Sequence, residues 1–419
     1  MTFSEAVGSN WAGIYDYRAA TLLRPTDARE VAEIVARATK VRALGSRHSF
    51  SDLADTSGEL VSIDRFAPDI IVNADAQTVS FSAGLRYGDL ATVLQARGWA
   101  IHNLASLPHI SVAGAVATGT HGSGDRNGTL SAAVADLEFI DGTGALVRLG
   151  RSDPDFDGAV VSIGALGIVT RITLDIEPTF DVRQDLYNGI SWDTALENFD
   201  AITSSAYSVS LFTDWTDRGI SIAWLKSRMD AAAPPIELFG APVETADEHM
   251  LPDQPPSNTT QQGGVPGPWN DRLAHFKLGF TPSNGDEVQS EFLVPRGCAI
   301  EAINSLREIG DRIAPLLLVT ELRTMSADNL WLSGSYQTDA VGIHFTWKKM
   351  LPEVLALLPE IEARLLPLQA RPHWGKVFVA EVDRIAPLYP RFDDFLALAR
   401  KYDPKGVFRN DFLSRKLGL

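Results

Sequence analysis

Apolar positions in the first part of the chain alternate between helical and strand-like spacing. Between residues 27 and 40, Val31, Ile34 and Val35 fall on one helical face, which predicts an amphipathic helix. Residues 41–44 predict a strand, and a glycine-containing turn at 45–49 follows it. Further elements are predicted as strands at 60–63, 78–82 and 168–176 and a helix at 87–96. This alternation favours an α+β fold.

The segment of residues 105–124 consists almost only of small residues, several of them glycine. Such a run lets the backbone approach a ligand closely, so that its N–H groups can bind it. We therefore expect residues 105–124 to face a cofactor.

Beyond residue 180 the strand-like runs become longer, and two of them, 207–215 and 219–228, predict a β-hairpin. Additional strands are predicted at 287–294, 316–324 and 340–348, with helices at 297–312 and 352–365. A Pro- and Gly-rich stretch at 232–270 is interpreted as a long ordered excursion over the surface. The pattern favours an antiparallel sheet with helices on one side.

Two of these strands place polar residues where alternation calls for burial. Glu321 and Arg323 share one face of their strand, and His344 and Thr346 share one face of theirs. Buried polar groups cost free energy unless they are paired. The pattern therefore indicates either structural salt bridges or a pocket for a polar ligand, and it does not decide between them.

Composition narrows the classes of partner. The formal net charge of -16 disfavours nucleic acid and anionic membranes, and 419 residues with 45% hydrophobic content suit two globular domains. The segment MTFSEAVGSNWAG lacks a secretion signal, and the single Cys298 cannot form an internal disulfide, so we expect a cytoplasmic protein. We also expect it to be a monomer.

Common cofactor motifs are missing from the sequence. No G-x-G-x-x-G follows a strand, no P-loop motif occurs, and neither H-E-x-x-H nor C-x-x-C is present. A Rossmann site, a P-loop site and a bound metal are therefore not expected.

Two segments, GSRHSFSD at 45–52 and SLPHISVAGAVATGTHGSG at 106–124, together resemble the vanillyl-alcohol-oxidase superfamily of flavoproteins. Within it the chain resembles the alditol (xylitol) oxidases, relatives of the aldonolactone oxidases, and the resemblance continues through YSVSLFTDW, GVPGPW, HFTW and RPHWGK. It implies a two-domain fold. An FAD-binding (PCMH-type) domain would span 1–180 and be completed by 377–419, and a substrate-binding cap domain would span 181–376.

The resemblance also implies FAD as cofactor, attached covalently through His48 to the 8α carbon of the flavin. The turn of residues 43–49 would hold the pyrophosphate through backbone N–H groups. The further residues that match FAD contacts are Ala43, Leu44, Gly45, Ser46, Arg47, Ser49, Ser106, Ser111, Gly114, Ala115, Val116, Ala117, Thr118, Ile168 and His373.

For the substrate, the resemblance implies a terminal alcohol of an alditol such as xylitol or sorbitol, oxidised at C1 with hydride transfer to flavin N5 and O₂ reduced to H₂O₂. The matching substrate-binding residues are Ser106, Glu321, Arg323, Thr346 and Lys376. The cations Arg323 and Lys376 would favour the developing alkoxide, and His344 would accept the hydroxyl proton.

Two alternatives remain open at this point. The nearer is an aldonolactone oxidase or dehydrogenase on the same scaffold, and the other is a non-catalytic flavin- or sugar-binding protein.

One position departs from the family pattern. Relatives commonly have glycine before the flavin-linked histidine, whereas this chain has Arg47. We expect a backbone conformation there that suits a non-glycine residue, and a guanidinium that contacts an FAD phosphate or an acidic neighbour.

Overall fold

The computed structural model describes residues 7–251, 254–280 and 285–419. Its strands are β1 Thr21–Leu23, β2 Val41–Ala43, β3 Glu59–Val61, β4 Ile71–Asn73, β5 Thr78–Ser82, β6 Trp99–Ala100, β7 Val134–Asp141, β8 Leu146–Gly150, β9 Gly167–Asp175, β10 Glu177–Pro178, β11 Asp181–Ile190, β12 Ser208–Thr213, β13 Ile220–Arg228, β14 Glu237–Leu238, β15 Ala241–Pro242, β16 Gly267–Pro268, β17 Glu287–Pro295, β18 Leu317–Met325, β19 Ala340–Lys348 and β20 Arg371–Pro372.

The helices are α1 Ala28–Arg37, α2 Tyr87–Ala96, α3 Val112–Ala117, α4 Phe156–Val160, α5 Trp192–Glu197, α6 Phe199–Thr203, α7 Ala299–Arg307, α8 Gly310–Ile313, α9 Leu351–Leu365, α10 Val382–Ile385, α11 Phe392–Tyr402 and α12 Asp411–Leu417. Short 3₁₀ turns lie at Asp52–Ala54, Leu130–Ala133, Pro256–Asn258, Trp269–Asp271, Arg296–Cys298, Leu366–Leu368 and Ala386–Leu388. None of the helices within the described ranges is both long and apolar enough to cross a membrane.

The first half of the chain builds two small sheets. The strands β1, β3 and β2 form a parallel sheet in that order, and β4, β5, β9, β7 and β8 form an antiparallel one. Helix α1 begins as its sequence predicts, because Asp27 accepts a hydrogen bond from the backbone N–H of Glu30 at 2.9 Å. It ends at Arg37, three residues before the predicted limit, because Ala38 already has the extended backbone that leads into β2.

An eight-stranded antiparallel sheet dominates the second half, in the order β16-β11-β13-β12-β18-β19-β17-β20. The predicted hairpin is its β12–β13 pair, in which Ser208 lies opposite Lys226. Helices α7 and α9 pack against β17 on one face, where Ile343, Phe345 and Trp347 are fully buried. The predicted α+β fold with a helix-covered antiparallel sheet is therefore confirmed, whereas the domain limits at 180 and 376 stay predictions.

The Pro- and Gly-rich stretch differs from its prediction as a surface excursion. Its last part forms β16, the edge strand that pairs with β11, and Trp269 directly after it is fully buried. The indole of Trp269 donates to the backbone oxygen of Trp99 at 3.1 Å. This anchor brings residues 270–276 to the face of the sheet that the helices leave free.

Candidate active site

One cavity of about 730 Å³ lies between the small-residue segments and the large sheet. Its volume is within the range of small-molecule and cofactor sites. On one side it is lined by the turn of residues 42–50 and by parts of α3, and on the other by side chains of β12, β17, β18 and β19. Two differently built walls therefore share a single space.

The turn after β2 is held against the start of α3 by two reciprocal hydrogen bonds. The backbone N–H of Ser111 donates to Ser46 Oγ at 3.0 Å, and the backbone N–H of Ser46 donates to Ser111 Oγ at 3.4 Å. A Cβ atom on Gly45 would lie 2.5 Å from Ser111 Oγ, and one on Gly114 would lie 2.8 Å from it. A side chain at either position would therefore displace the Ser111 hydroxyl from this arrangement.

His48 lies in this wall with its imidazole stacked on Trp11, the ring centroids being 5.3 Å apart. Its Nδ1 is buried and has no hydrogen-bond partner. Burial lowers the pKa of His48 to about 4, and Lys376 and His109 act in the same direction. The imidazole is therefore neutral near pH 7 and has a lone pair available for bond formation.

The backbone of Arg47 differs from the conformation that the sequence led us to expect. Its backbone has φ of 65°, in the left-handed region that favours glycine. Its Nη1 donates to the backbone oxygens of Val7 and Ser9 at 2.6 and 3.1 Å, and its guanidinium lies over the Tyr17 ring. The side chain thus fastens the N-terminal segment, and no acidic side chain pairs with it among the described residues.

Strand register brings the predicted polar residues of the large sheet together. Glu321 on β18 lies directly opposite His344 on β19, and His344 lies directly opposite Glu291 on β17. Directly opposed residues of neighbouring strands share a face. Three adjacent strands therefore present these polar side chains to the cavity, on the face that the helices leave free.

Glu291 is the centre of this polar face and is 2% exposed. Its carboxylate oxygens lie 3.0 Å from His121 Nε2, 3.2 Å from His344 Nδ1 and 3.2 Å from Arg323 Nη2. Burial alone would raise the pKa of Glu291, but His121 and His344 hold the pKa of that carboxyl well below its usual range. It is therefore a buried anion.

Arg323 links both carboxylates of the polar face to the opposite wall. Its Nη2 donates to Glu291, its Nε lies 3.5 Å from Glu321, and its Nη1 donates to Ser106 Oγ at 3.2 Å. Glu321 also accepts a 2.7 Å hydrogen bond from His275 Nε2. Burial opposes ionisation of Glu321, but Arg323 and His275 outweigh it and hold the pKa of the carboxyl well below its usual range.

Lys376 and His344 complete the polar face. Lys376 Nζ donates to Gln289 Oε1 and lies over the Phe50 ring at 5.2 Å from its centroid. Burial lowers the pKa of Lys376 to about 8. Burial also lowers the pKa of His344, whose Nε2 lies 3.2 Å from Thr346 Oγ1. The face thus offers a cation and a neutral imidazole to one cavity.

The structure places nearly all predicted site residues around this cavity. The cavity is lined by all the predicted substrate-binding residues and by His344. It is also lined by all the predicted cofactor-binding residues except one. Val116 packs into the apolar core instead, although its backbone is part of α3. Across the described ranges, no group of three or more His, Cys, Asp or Glu side chains is arranged to hold a metal ion.

Several residues of the polar face were not predicted as site residues from the sequence. Glu291 and Gln289 lie on β17, Lys226 lies on β13, and His121 and His275 lie in loops. Alternation could have found those on strands, since Lys226 shares the face of Trp224 and Glu291 shares that of Gln289. The two histidines have no periodic signal, because only the tertiary fold brings them to the sheet.

The backbone-lined wall fits FAD. It contains two glycines at which an added Cβ would collide with Ser111, and a buried imidazole nitrogen of His48 that has no hydrogen-bond partner. The backbone of its turn can approach a phosphate closely. The opposite wall is charged and suits a polar small molecule rather than more of the cofactor.

Two family models match separate parts of the chain. Residues 19–150 match the family model of an FAD binding domain, and residues 284–416 match the model of D-arabinono-1,4-lactone oxidase. A structural likeness extends over all of this chain and 97% of cholesterol oxidase from B. sterolicum, with a TM-score of 0.82 and 17% identity. At that identity the likeness concerns the fold alone.

Similarity of sequence extends over nearly the whole chain. Alditol oxidase of Streptomyces sp. (strain IKD472 / FERM P-14339) is 45% identical, with 97% of both chains covered. L-gulono-1,4-lactone dehydrogenase of Mycobacterium tuberculosis is 26% identical, covering 98% of this chain and 99% of the relative. L-gulonolactone oxidase of Bos taurus is 25% identical, with 97% of both chains covered.

Proposed function

The chain belongs to the alditol oxidase family, and on that premise we propose that it oxidises the terminal C1 alcohol of an alditol such as xylitol or sorbitol to the aldose. It is an FAD-dependent oxidoreductase that acts on CH–OH groups with O₂ as acceptor. H₂O₂ is the second product. The observation that carries the substrate assignment is the charged face of β17, β18 and β19, which shares one cavity with the FAD-fitting wall.

The turn of residues 43–49 and the segment from Ser111 to Thr118 would hold FAD, and His48 would carry it covalently. When bound, FAD supplies the hydride acceptor of the reaction and passes the electrons on to O₂. The neutral state of His48 supports the linkage, since a protonated imidazole has no lone pair with which to form the bond.

Arg323 and Lys376 are proposed to contact the reacting C1 hydroxyl. Removing the hydroxyl proton develops negative charge on that oxygen, and cations inside a water-poor cavity stabilise this charge strongly. The other side of Arg323 is held by Glu291 and by the Ser106 hydroxyl. The guanidinium therefore does not need to reorganise as the charge develops.

His344 is proposed as the proton acceptor. Its Nδ1 faces the Glu291 carboxylate at 3.2 Å, which favours the tautomer with hydrogen on Nδ1 and leaves Nε2 as an acceptor beside Thr346. Glu291 then stabilises the imidazolium that forms when Nε2 takes the hydroxyl proton. Glu321, Ser106 and Thr346 would bind the remaining hydroxyls.

A lactone substrate is the second candidate, because residues 284–416 match the D-arabinono-1,4-lactone oxidase model. The two candidates differ in the substrate whose oxidation yields H₂O₂. A peroxidase-coupled assay with xylitol, sorbitol, gulono-1,4-lactone and galactono-1,4-lactone separates them. We expect H₂O₂ with the alditols and none with the lactones, and turnover of the lactones alone would overturn the assignment.

The covalent linkage has its own test. Intact mass of the acid-denatured protein should exceed the mass of the chain by one FAD, and peptide mapping should place it on His48. His48→Ala should bind FAD only reversibly. A wild-type mass without the addition would refute the linkage while leaving the proposed reaction intact.

A further inference from the structure

Lys226 belongs to the polar face and is almost fully buried, at 1% exposure. Nζ donates to the backbone oxygens of Leu273 and Ala274 at 2.6 and 2.8 Å and to His275 Nδ1 at 3.3 Å. Three acceptors thus satisfy its three N–H donors. Because an ammonium group cannot accept, His275 Nδ1 must offer its lone pair, and the ring hydrogen must be on Nε2.

His275 links Lys226 to Glu321. Its Nε2 donates to Glu321 Oε1 at 2.7 Å, and its backbone N–H donates to the Ser106 backbone oxygen at 3.1 Å. Edge-on packing against Trp224 and Phe212, with ring centroids 5.1 and 6.1 Å away, fixes the plane of the ring. One histidine therefore contacts two of the residues assigned to substrate binding.

We propose that Lys226 and His275 are positioning residues of the polyol site, because Lys226 fixes the tautomer of His275. Together with Arg323, His275 then holds Glu321 as an ionised carboxylate that can only accept hydrogen bonds. Such a carboxylate selects a substrate hydroxyl, which can donate, over a carbonyl oxygen, which cannot. The inference rests on the proposed function, since it names the group of the alditol that Glu321 recognises.

The arrangement depends on the charge of Lys226. Within the described residues, the charged or titratable groups around it are Glu321 and Arg323 on β18 and Arg272 and His275 after β16. Burial lowers the pKa of Lys226 to about 7; Glu321 opposes this shift, and Arg323 and Arg272 reinforce it. Burial also lowers the pKa of His275 to about 4, so the imidazole stays neutral.

Loss of the proton from Lys226 removes this constraint on the tautomer. A neutral amine that keeps its two N–H groups on the carbonyls of Leu273 and Ala274 turns its lone pair towards His275 Nδ1. This arrangement favours hydrogen on Nδ1 and so weakens the donation from Nε2 to Glu321. Affinity for the alditol should therefore fall as pH rises through the pKa of Lys226.

Anaerobic rapid mixing of the holoenzyme with xylitol tests this, because it gives the substrate Kd and the flavin reduction rate separately. In Lys226→Met we expect Kd to rise about tenfold or more, while the reduction rate changes by less than about threefold. The pH dependence of Kd should disappear. 1,2-Propanediol, which lacks the outer hydroxyls, should show a smaller rise in Kd.

Two further variants separate positioning from folding. His275→Gln can donate to Glu321 without help from a lysine, so Lys226→Met/His275→Gln should recover most of the xylitol affinity. Lys416→Met is the matched control, because Lys416 is also buried and donates to the backbone oxygens of Phe378, Val379 and Ala380. It should lower the melting temperature without changing Kd.

The outcomes distinguish this inference from the proposed function. If wild-type enzyme fails to oxidise xylitol, the proposed function fails. If wild-type enzyme oxidises xylitol but Lys226→Met keeps its Kd and its pH dependence, only the positioning role fails. Equal losses for xylitol and 1,2-propanediol, or no recovery in the double variant, would also overturn it.

Discussion

The two walls of the cavity differ in the chemistry of the groups that line them. The wall formed by residues 43–49 and α3 is rich in backbone and small side chains, and a Cβ on Gly45 would lie 2.5 Å from the Ser111 hydroxyl. The wall formed by β17, β18 and β19 carries buried charges, among them Glu291 and Arg323. Shape governs the first wall and electrostatics governs the second.

Because of this difference, we expect substitutions in the two walls to impair different properties of the enzyme. A change in the backbone wall should cost cofactor or stability whatever its charge, because it obstructs a close approach. A change in the charged wall should leave FAD in place but alter rate, affinity or pH dependence. Cofactor content and kinetics, measured on the same samples, therefore separate the two.

Lys376→Met should have the largest effect. It removes a cation assigned to the developing alkoxide, so flavin reduction by xylitol should slow by about 10²–10³-fold while FAD content stays unchanged. The wild-type reduction rate should fall as pH rises through about 8, where Lys376 loses its charge, and the variant should lack this limb. Anaerobic rapid mixing across pH measures both. A variant that reduces its flavin at the wild-type rate would remove Lys376 from the mechanism.

Glu291→Gln should have the next largest effect. The amide keeps the shape but loses the charge that stabilises protonated His344, so flavin reduction should slow by about 10–100-fold. Glu291 raises the pKa of His344, so its loss should move the acid limb of the pH–rate profile to lower pH. An acid limb that stays in place would argue that His344 is not the proton acceptor.

Gly45→Ala tests the backbone wall. Its Cβ would meet Ser111 Oγ at 2.5 Å, and we expect a loss of about 1–3 kcal/mol in unfolding free energy together with lower FAD content. Ser111→Ala removes the obstructing oxygen, so the double variant should lose less than the sum of the single variants. Thermal unfolding and flavin absorbance measure this, and additive losses would contradict the close-packing account.

Arg47→Gly should have the smallest effect. Glycine relieves the cost of a left-handed residue, about 1 kcal/mol, but loses the hydrogen bonds to Val7 and Ser9. The net change in unfolding free energy should be below about 1 kcal/mol, with covalent FAD retained. A protein unable to retain flavin would show that the guanidinium does more than fasten the N-terminal segment.

Much of the fold follows from the sequence, because its elements depend on local periodicity. The strands at 78–82 and 340–348 and the helix at 87–96 have the predicted limits. The candidate helix at 297–312 is instead divided into a 3₁₀ turn, α7 and α8. Alternation correctly places Glu321 and His344 on the faces of their strands, but only pairing register shows that they are opposite each other.

The charged wall was only half predictable for a physical reason. The roles of Glu291, Lys226 and His275 depend on partners that are distant in the sequence. His275, for example, pairs with Glu321, which is 46 residues away. Single-sequence patterns report burial but not partners. The contacts of Arg47 were also out of reach, because its guanidinium binds carbonyls of the N-terminal segment that lie about 40 residues away in the sequence.

The central claim is that the charged wall presents an alditol to FAD held by the backbone wall. Anaerobic addition of xylitol to the purified holoenzyme tests it most directly, with gulono-1,4-lactone in a parallel sample. We predict that xylitol bleaches the flavin absorbance and the lactone does not. Bleaching by the lactone with no response to xylitol would contradict the account.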